Sequence, residues 1–301
     1  MVTFVEGPVR ATVPATSANL GPGFDSLGLA LGLRDELEAE VTGAGLHVEV
    51  SGAGADDVPR DERHLVVRAM RAGFEAMGAT PPGLRLSCTN VVPHARGLGS
   101  SSAAIVGGLA LARALVAGGR LLLDDDAVFR LAAGIEGHPD NVAPAFFGGF
   151  VISGRDEDGG FYAVGSIVDP RIGAVVFVPP VPVSTEVARG LLPAEVPHAD
   201  AAADAGRTAL LVAALAGRPD QLLRATRDFL HQEYRRPAMP ESLDLVDRLR
   251  RDGVPAIVSG AGPTVLAFTR AGPAARSLAA RCPAGWVTHE LSVDRDGVQV
   301  G

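Results

Sequence analysis

The chain has 301 residues, 47% hydrophobic and 21% charged, with a formal net charge of −8. That length is enough for one large domain or two small ones, and the acidic balance excludes general attraction to nucleic acid or anionic lipid. No run reaches the roughly 18 apolar residues of a membrane span, and the first ten residues carry Glu6 and Pro8 instead of the basic and apolar regions of a signal peptide, so the expected location is the cytoplasm.

All 27 basic residues are arginine. The missing lysine excludes three chemistries. A Walker A loop, G-x-x-x-x-G-K-S/T, needs its lysine on the β/γ-phosphates. A protein kinase needs one on its third strand, and pyridoxal phosphate needs one for its Schiff base. Cys88 and Cys282 are far apart and read as small apolar residues. The histidines lack metal-ligand spacing.

In chain order, Val9 to Val13 predicts a strand ended by Pro14, followed by a Gly- and Pro-rich loop from Ser17 to Asp25. Leu37 to Val41 and Leu46 to Val50 predict a hairpin through Thr42-Gly43-Ala44-Gly45. A surface loop, Gly52 to Arg60, precedes a helix from His64 to Met77. Leu84 to Cys88 predicts a strand, Asn90 to Gly99 a loop, and Ser100 to Ala117 a helix apolar on nearly every face, as in the centre of a domain. Asp124 to Ile135 predicts a helix capped by Asp124 or Asp125. A loop from Glu136 to Pro144 leads to a strand from Phe146 to Ser153.

After the polar turn Asp156 to Gly160, a strand is expected at Ala174 to Val178 and helices at Ser184 to Leu192, Ala201 to Ala216, Pro219 to Phe229 and Glu241 to Asp252. Ala256 to Ser259 and Thr264 to Phe268 predict strands flanking a glycine turn, then a helix from Ala271 to Arg281 and a strand from Val287 to Val293. This mixture without steady alternation predicts an α+β chain in two lobes, residues 1–158 and 159–301.

Three loops carry the chemistry. In Pro93-His94-Ala95-Arg96-Gly97-Leu98-Gly99-Ser100-Ser101-Ser102-Ala103, glycines allow close backbone approach to an anion. The following helix N-terminus supplies unpaired N–H groups and a favourable dipole, so no lysine is needed. The hydroxyls of Ser100 and Ser101 suit phosphate oxygens or Mg²⁺. Alone, a plain glycine turn with serine caps would account for the same residues. Val13 to Asp25 and Ser259-Gly260-Ala261-Gly262-Pro263-Thr264 are two further loops beside apolar strands, and the three together point to one cleft lined by backbone amides.

These loops resemble the three signature motifs of the GHMP kinases, the central one matching P-x-x-x-G-L-G-S-S-S/A-A. Within that superfamily the chain is most similar to the homoserine kinases. The similarity is carried by Pro14 to Asp25, by His138-Pro139-Asp140-Asn141-Val142-Ala143-Pro144, by Val183 to Pro193 and by Tyr234-Arg235. The resemblance implies an N-terminal lobe like ribosomal protein S5 domain 2 and a ferredoxin-like C-terminal lobe. It implies ATP held by Pro93, Arg96, Gly97, Leu98, Gly99, Ser100, Ser101, Ser102 and Ala103. Mg²⁺ would be held by Glu136 and a serine, Ser101 in preference to its neighbours.

For an L-homoserine substrate, the resemblance implies Arg189 and Arg235 for the carboxylate, with Thr185 one helical turn before Arg189. Asp25 suits the ammonium, and Asn19 and Asn141 the hydroxyl or the ammonium. Gly260 joins the substrate set. His138 reads equally as a substrate contact or a turn residue. Asn141, Glu136 and Ser101 would be catalytic, with no general base assigned and Asp140 adjacent to Asn141. A homodimer is what the family suggests. The alternatives are another GHMP kinase acting on a different small alcohol, or a regulator of this fold that binds without turnover.

Overall fold

The longest apolar and alternating stretches of the first half assemble into one twisted sheet. In the computed structural model, which describes residues 2–270 and 272–301, β1 (Val9–Ala18) pairs antiparallel with β2 (Leu27–Thr42). β1 runs through Pro14, where the register shifts, so the proline marks a bulge and not the expected strand end.

The expected hairpin is not formed. β3 (Gly45–Gly52) follows β2, but β4 (Gly83–Asn90) inserts between them, antiparallel to β2 and parallel to β3. The parallel pair is joined by the crossover helix α1 (Leu65–Ala76). Two causes are visible. β3 exposes His47 and Glu49 and suits a sheet edge. Gly83 lacks a Cβ, which would lie 2.4 Å from the Ala44 carbonyl carbon, so β4 can enter beside the turn.

Helices cover one face of this sheet. α2 (Ser100–Leu115) lies against it, with α1, the one-turn α3 (Gly119–Leu122), α4 (Asp125–Glu136) and α5 (Val142–Phe147) around it. α2 is buried along most of its length, as its apolar sequence predicts. Gly107 and Gly108 let it touch both neighbours: a Cβ would lie 2.3 Å from Leu37 on the first and 2.6 Å from the Val66 carbonyl on the second. Asp124 caps α4 by accepting from the Ala127 N–H at 2.8 Å.

β5 (Phe150–Arg155) starts later than expected, because α5 occupies 142–147 and Gly148 and Gly149 turn the chain with positive φ. It pairs with β2 and with β6 (Phe161–Ser166). The division after residue 158 therefore falls in a hairpin turn, and β6 stays with the larger sheet. β11 (Gln299–Val300) also returns to β1, making that sheet seven-stranded.

The second lobe is a four-stranded antiparallel sheet, β10 (Val287–Ser292), β7 (Ile172–Val178), β9 (Val265–Arg270) and β8 (Ala256–Val258). Its helices are α6 (Thr185–Gly190), α7 (His198–Gly217), α8 (Leu222–Ala225), α9 (Pro240–Arg251) and α10 (Pro273–Ala279). Alternate residues of β7 enter two cores. Val176 joins Leu29, Leu31 and Phe150 of the first lobe, while Phe177 joins Leu243 and Leu249 of α9. One apolar core thus crosses the lobe boundary.

The expected helix from Pro219 to Phe229 is reduced to a 3₁₀ turn and α8. The chain then opens where the Asp228 carboxylate takes the N–H groups of Leu230, His231 and Gln232. Of the expected Ala271 to Arg281 helix, Ala271 lies outside the described residues, as does Met1 of the first lobe. No helix among the described residues is long and apolar enough to cross a membrane.

Candidate active site

The three Gly-rich loops meet through their backbones. Thr16 N–H donates to the Leu98 carbonyl at 3.0 Å, Gly260 N–H to Ala18 at 3.1 Å, and Thr264 N–H to Arg96 at 3.2 Å. The buried Ser259 hydroxyl bridges the Gly97 carbonyl (2.6 Å) and the Ser17 hydroxyl (2.8 Å). Gly97 and Gly99 have positive φ, and a Cβ would lie 2.2 Å from the Ser259 carbonyl oxygen and 1.9 Å from the Thr16 hydroxyl, respectively. Only glycine lets the central loop sit this close.

That packing delivers the N-terminus of α2 with its first N–H groups unpaired within the helix. Beside it, Ser101 and Ser102 donate to the same Glu136 oxygen at 2.5 and 3.0 Å. Glu136 ends α4, where Gly137 in the left-handed region turns the chain toward His138. The oxygens of two hydroxyls and a carboxylate form a small, hard donor set of the kind Mg²⁺ takes alongside phosphate oxygens.

Asn141 lies on the other side of Gly99. Its Oδ1 accepts from the Thr16 hydroxyl at 2.7 Å, and its Nδ2 has no hydrogen-bond partner among the described residues. The preceding Asp140 is buried and accepts from His138 Nδ1 at 3.0 Å. Burial alone would lower the His138 pKa, but the Asp140 hydrogen bond and charge, with Glu136, hold it above its ordinary value. Gly28 of β2 makes room for this segment, since a Cβ there would lie 1.9 Å from the Asp140 carbonyl oxygen.

At the far end, Arg189 and Asp25 pair through two bonds, at 2.5 and 3.0 Å. That hydrogen bond raises the Arg189 pKa. Arg235 is fully buried. Burial, with the like charge of Arg189, lowers its pKa to about 10. Both guanidiniums face Phe24, at 5.4 and 5.6 Å from its ring centre. Asn19, in the left-handed region, accepts from Asp25 N–H and donates to the Gly260 carbonyl, both at 2.9 Å. This end of the cleft therefore sets two guanidiniums beside the Asp25 carboxylate, with the charges of Asp140 and Asp228 also acting on Arg235.

Residues 64–149 match the model of the GHMP kinases N terminal domain and residues 210–286 that of the GHMP kinases C terminal. The homoserine kinase of Streptomyces coelicolor is 54% identical over 99% of this chain and 96% of its own. The chain belongs to the homoserine kinases of the GHMP kinase family. The homoserine kinase of Rhodococcus opacus is 50% identical over 87% of both chains. The crystal structure of homoserine kinase from Cytophaga hutchinsonii superposes with a TM-score of 0.85 at 26% identity, covering 99% of this chain and 98% of that one. Mevalonate kinase from L. major, at 17% identity and a TM-score of 0.70 over 98% of this chain and 99% of its own, shares the fold.

Arg96 spends its guanidinium on the carbonyls of His94, Pro179 and Pro180, at 3.1, 2.9 and 2.5 Å, and so braces the loop against the second lobe. Thr185 starts α6 but is exposed and makes no hydrogen bond among the described residues. Pro93, Leu98 and Ala103 shape the loop through backbone and packing, Leu98 and Ala103 being buried.

The structure adds residues that sequence reading missed. Thr16 lay inside a loop singled out only for its glycines and polar groups, and its partner is 125 residues away. A cavity of about 260 Å³ opens beside Ser100 and Ser101, lined among others by Asp35, Val58, His64, Leu65, Asn90 and His94. His64 is buried there and its Nδ1 has no hydrogen-bond partner among the described residues. Burial raises the Asp35 carboxyl, while the N–H groups of Val91 and Val92, bonded to it at 2.6 and 2.8 Å, oppose that shift.

Proposed function

We propose that this chain transfers the γ-phosphoryl group of ATP to the side-chain hydroxyl of L-homoserine, giving O-phospho-L-homoserine in threonine biosynthesis. One observation carries the reading. Asn141 touches Gly99 of the anion loop, and His138 of the same short segment is within reach of the charges of both Glu136 and Arg189. A phosphate site and a zwitterion site would then adjoin one segment, residues 138–141.

The free N–H groups of Ser100, Ser101 and Ser102 suit phosphate oxygens, and the cavity beside them suits the nucleotide base. Ser101 and Ser102 with Glu136 would hold Mg²⁺, which when bound neutralises phosphate charge. Arg235 Nη2 has no partner among the described residues and suits the substrate carboxylate, while Asp25 suits the ammonium. The free Nδ2 of Asn141 suits the acceptor hydroxyl. Asp140 is occupied by His138, so no carboxylate is assigned as base. Rate enhancement then rests on alignment and charge neutralisation, as phosphoryl transfer allows. The same reading puts the chain in the cytoplasm, with the homodimer suggested by the family.

A coupled ADP-release assay with L-homoserine, mevalonate, galactose and L-serine tests the reading. Strong preference for L-homoserine is expected. Equal turnover of all four would remove the acceptor assignment and leave the nucleotide site standing.

A further inference from the structure

His231 belongs to none of the three loops, yet it is fully buried and joins two parts of the substrate end. Its Nδ1 lies 2.9 Å from Arg235 Nη1, and its Nε2 lies 2.7 Å from the Gly21 carbonyl oxygen. A guanidinium only donates and a carbonyl only accepts. The ring is therefore the neutral tautomer that accepts at Nδ1 and donates from Nε2. Burial and the Arg235 charge favour this neutral form against the Asp228 carboxylate, 3.7 Å from Nε2, and the more distant Asp25. Asp228 is itself occupied by three backbone N–H groups.

Arg235 is held at two further points. Its Nε donates to the Ala188 carbonyl of α6 and its Nη1 also to Gly260, both at 3.2 Å. Nη2 alone has no hydrogen-bond partner among the described residues. Phe24 packs on both side chains, its ring centre 5.3 Å from the His231 ring. The donor left over is thus aimed by what restrains the rest of the guanidinium, and the His231 bond is the shortest of those restraints.

We propose that His231 is a positioning residue for substrate recognition: it orients Arg235 and ties it to the Gly21 to Phe24 turn, so that Nη2 is presented to the carboxylate of an amino-acid substrate. This rests on the carboxylate role of Arg235 proposed above. Guanidinium recognition of a carboxylate is directional, so a tilted Arg235 keeps its charge but loses bond geometry.

Two amide substitutions separate the halves of the ring. His231→Asn places an oxygen near Nδ1 and keeps the acceptor for Arg235, while giving up Gly21. His231→Gln places an NH₂ near Nε2 and keeps the donor to Gly21, while giving up Arg235. The expected result is a rise in KM for L-homoserine of about tenfold or more in His231→Gln, with kcat and the KM for ATP within about twofold, and recovery of most of the loss in His231→Asn. An unchanged homoserine KM in His231→Gln, or equal loss in both variants, overturns the positioning role.

Arg235→Gln is measured alongside. If it leaves the homoserine KM unchanged, the carboxylate reading itself fails. If it raises KM while His231→Gln does not, only the positioning role fails. Should either His231 variant not fold, ¹⁵N spectra of the wild-type imidazole decide. A neutral ring protonated at Nε2, with an Nδ1 signal that moves on adding L-homoserine and not ATP, supports the proposal; an Nδ1 signal unmoved by L-homoserine overturns it.

Discussion

Asp25 and Arg189, 164 residues apart in the chain, hold each other through two hydrogen bonds, at 2.5 and 3.0 Å. They are the groups assigned to opposite ends of the substrate. A zwitterion offers an ammonium to the first and a carboxylate to the second, so it can replace each partner of the pair at once. An alcohol bearing a single charge leaves one partner uncompensated in a half-buried site.

Specificity for zwitterions follows. Asp25→Asn and Arg189→Gln should each raise the KM for L-homoserine about ten- to a hundredfold, with a smaller effect on kcat. Because each single change also strands the other residue, the double variant should lose less than the sum of the two, with a coupling of about 1 kcal/mol or more. Steady-state kinetics on the four proteins measures this, and strictly additive losses would show that the pair plays no shared role in substrate binding.

Glu136 offers a different kind of test. It accepts from both Ser101 and Ser102, but it is only half buried and ends its helix. Glu136→Gln should fold normally, lower kcat about a hundredfold or more and shift half-saturation by Mg²⁺ upward, because a neutral amide is a poor ligand for a hard cation. Magnesium titrations at saturating ATP and homoserine check it. A variant with an unaltered Mg²⁺ requirement would remove Glu136 from the metal site.

What was legible in the sequence depended on locality. Residues 93–103 form a contiguous loop before a contiguous helix, and their anion-binding character could be read directly. Glu136 and Arg189 were legible only through motif resemblance, since each alone reads as a surface residue, and Asn141 was assigned through its motif as well. Pairing that joins distant segments was not legible: the turn after Thr42 is a good hairpin signal, and only the strand at 83–90, arriving after a helix, overrides it. His231 was equally hidden, because the Gly21 carbonyl that defines it is 210 residues away. Arg96 was read with the nucleotide loop it belongs to, and what the sequence could not show is that its donors reach carbonyls of the second lobe.

Gly99 tests the loop geometry itself. Its φ is +72°, and an added Cβ would stand 1.9 Å from the Thr16 hydroxyl and 3.2 Å from Asn141 Oδ1. Gly99→Ala should therefore cost about 2–4 kcal/mol of stability from backbone strain and overpacking together. It should also abolish most turnover by displacing Asn141. Urea denaturation and ADP release measure the two effects. Full activity in Gly99→Ala would mean that the Thr16 to Asn141 contact is not needed for catalysis.

A carboxyl remote from the chemistry links stability to pH. Asp204 of α7 is buried, and its Oδ1 accepts from the Phe229 N–H at 3.0 Å. Burial is the larger influence on its carboxyl, with the charge of Asp228 acting in the same direction, and together they push its pKa up from 3.8 to about 6. A raised acid binds its proton more tightly in the folded state. Its contribution is therefore full below about pH 4 and is lost as pH rises through about 6. Asparagine keeps the oxygen that accepts from Phe229 and cannot ionise. Asp204→Asn should accordingly be more stable than the wild type at pH 7, by about 1–3 kcal/mol, with the difference shrinking toward zero near pH 4. Urea midpoints at pH 4, 5, 6 and 7 follow it directly. A constant difference across that range, or a variant less stable at pH 7, would mean that the Asp204 carboxylate is compensated in the fold by more than one N–H.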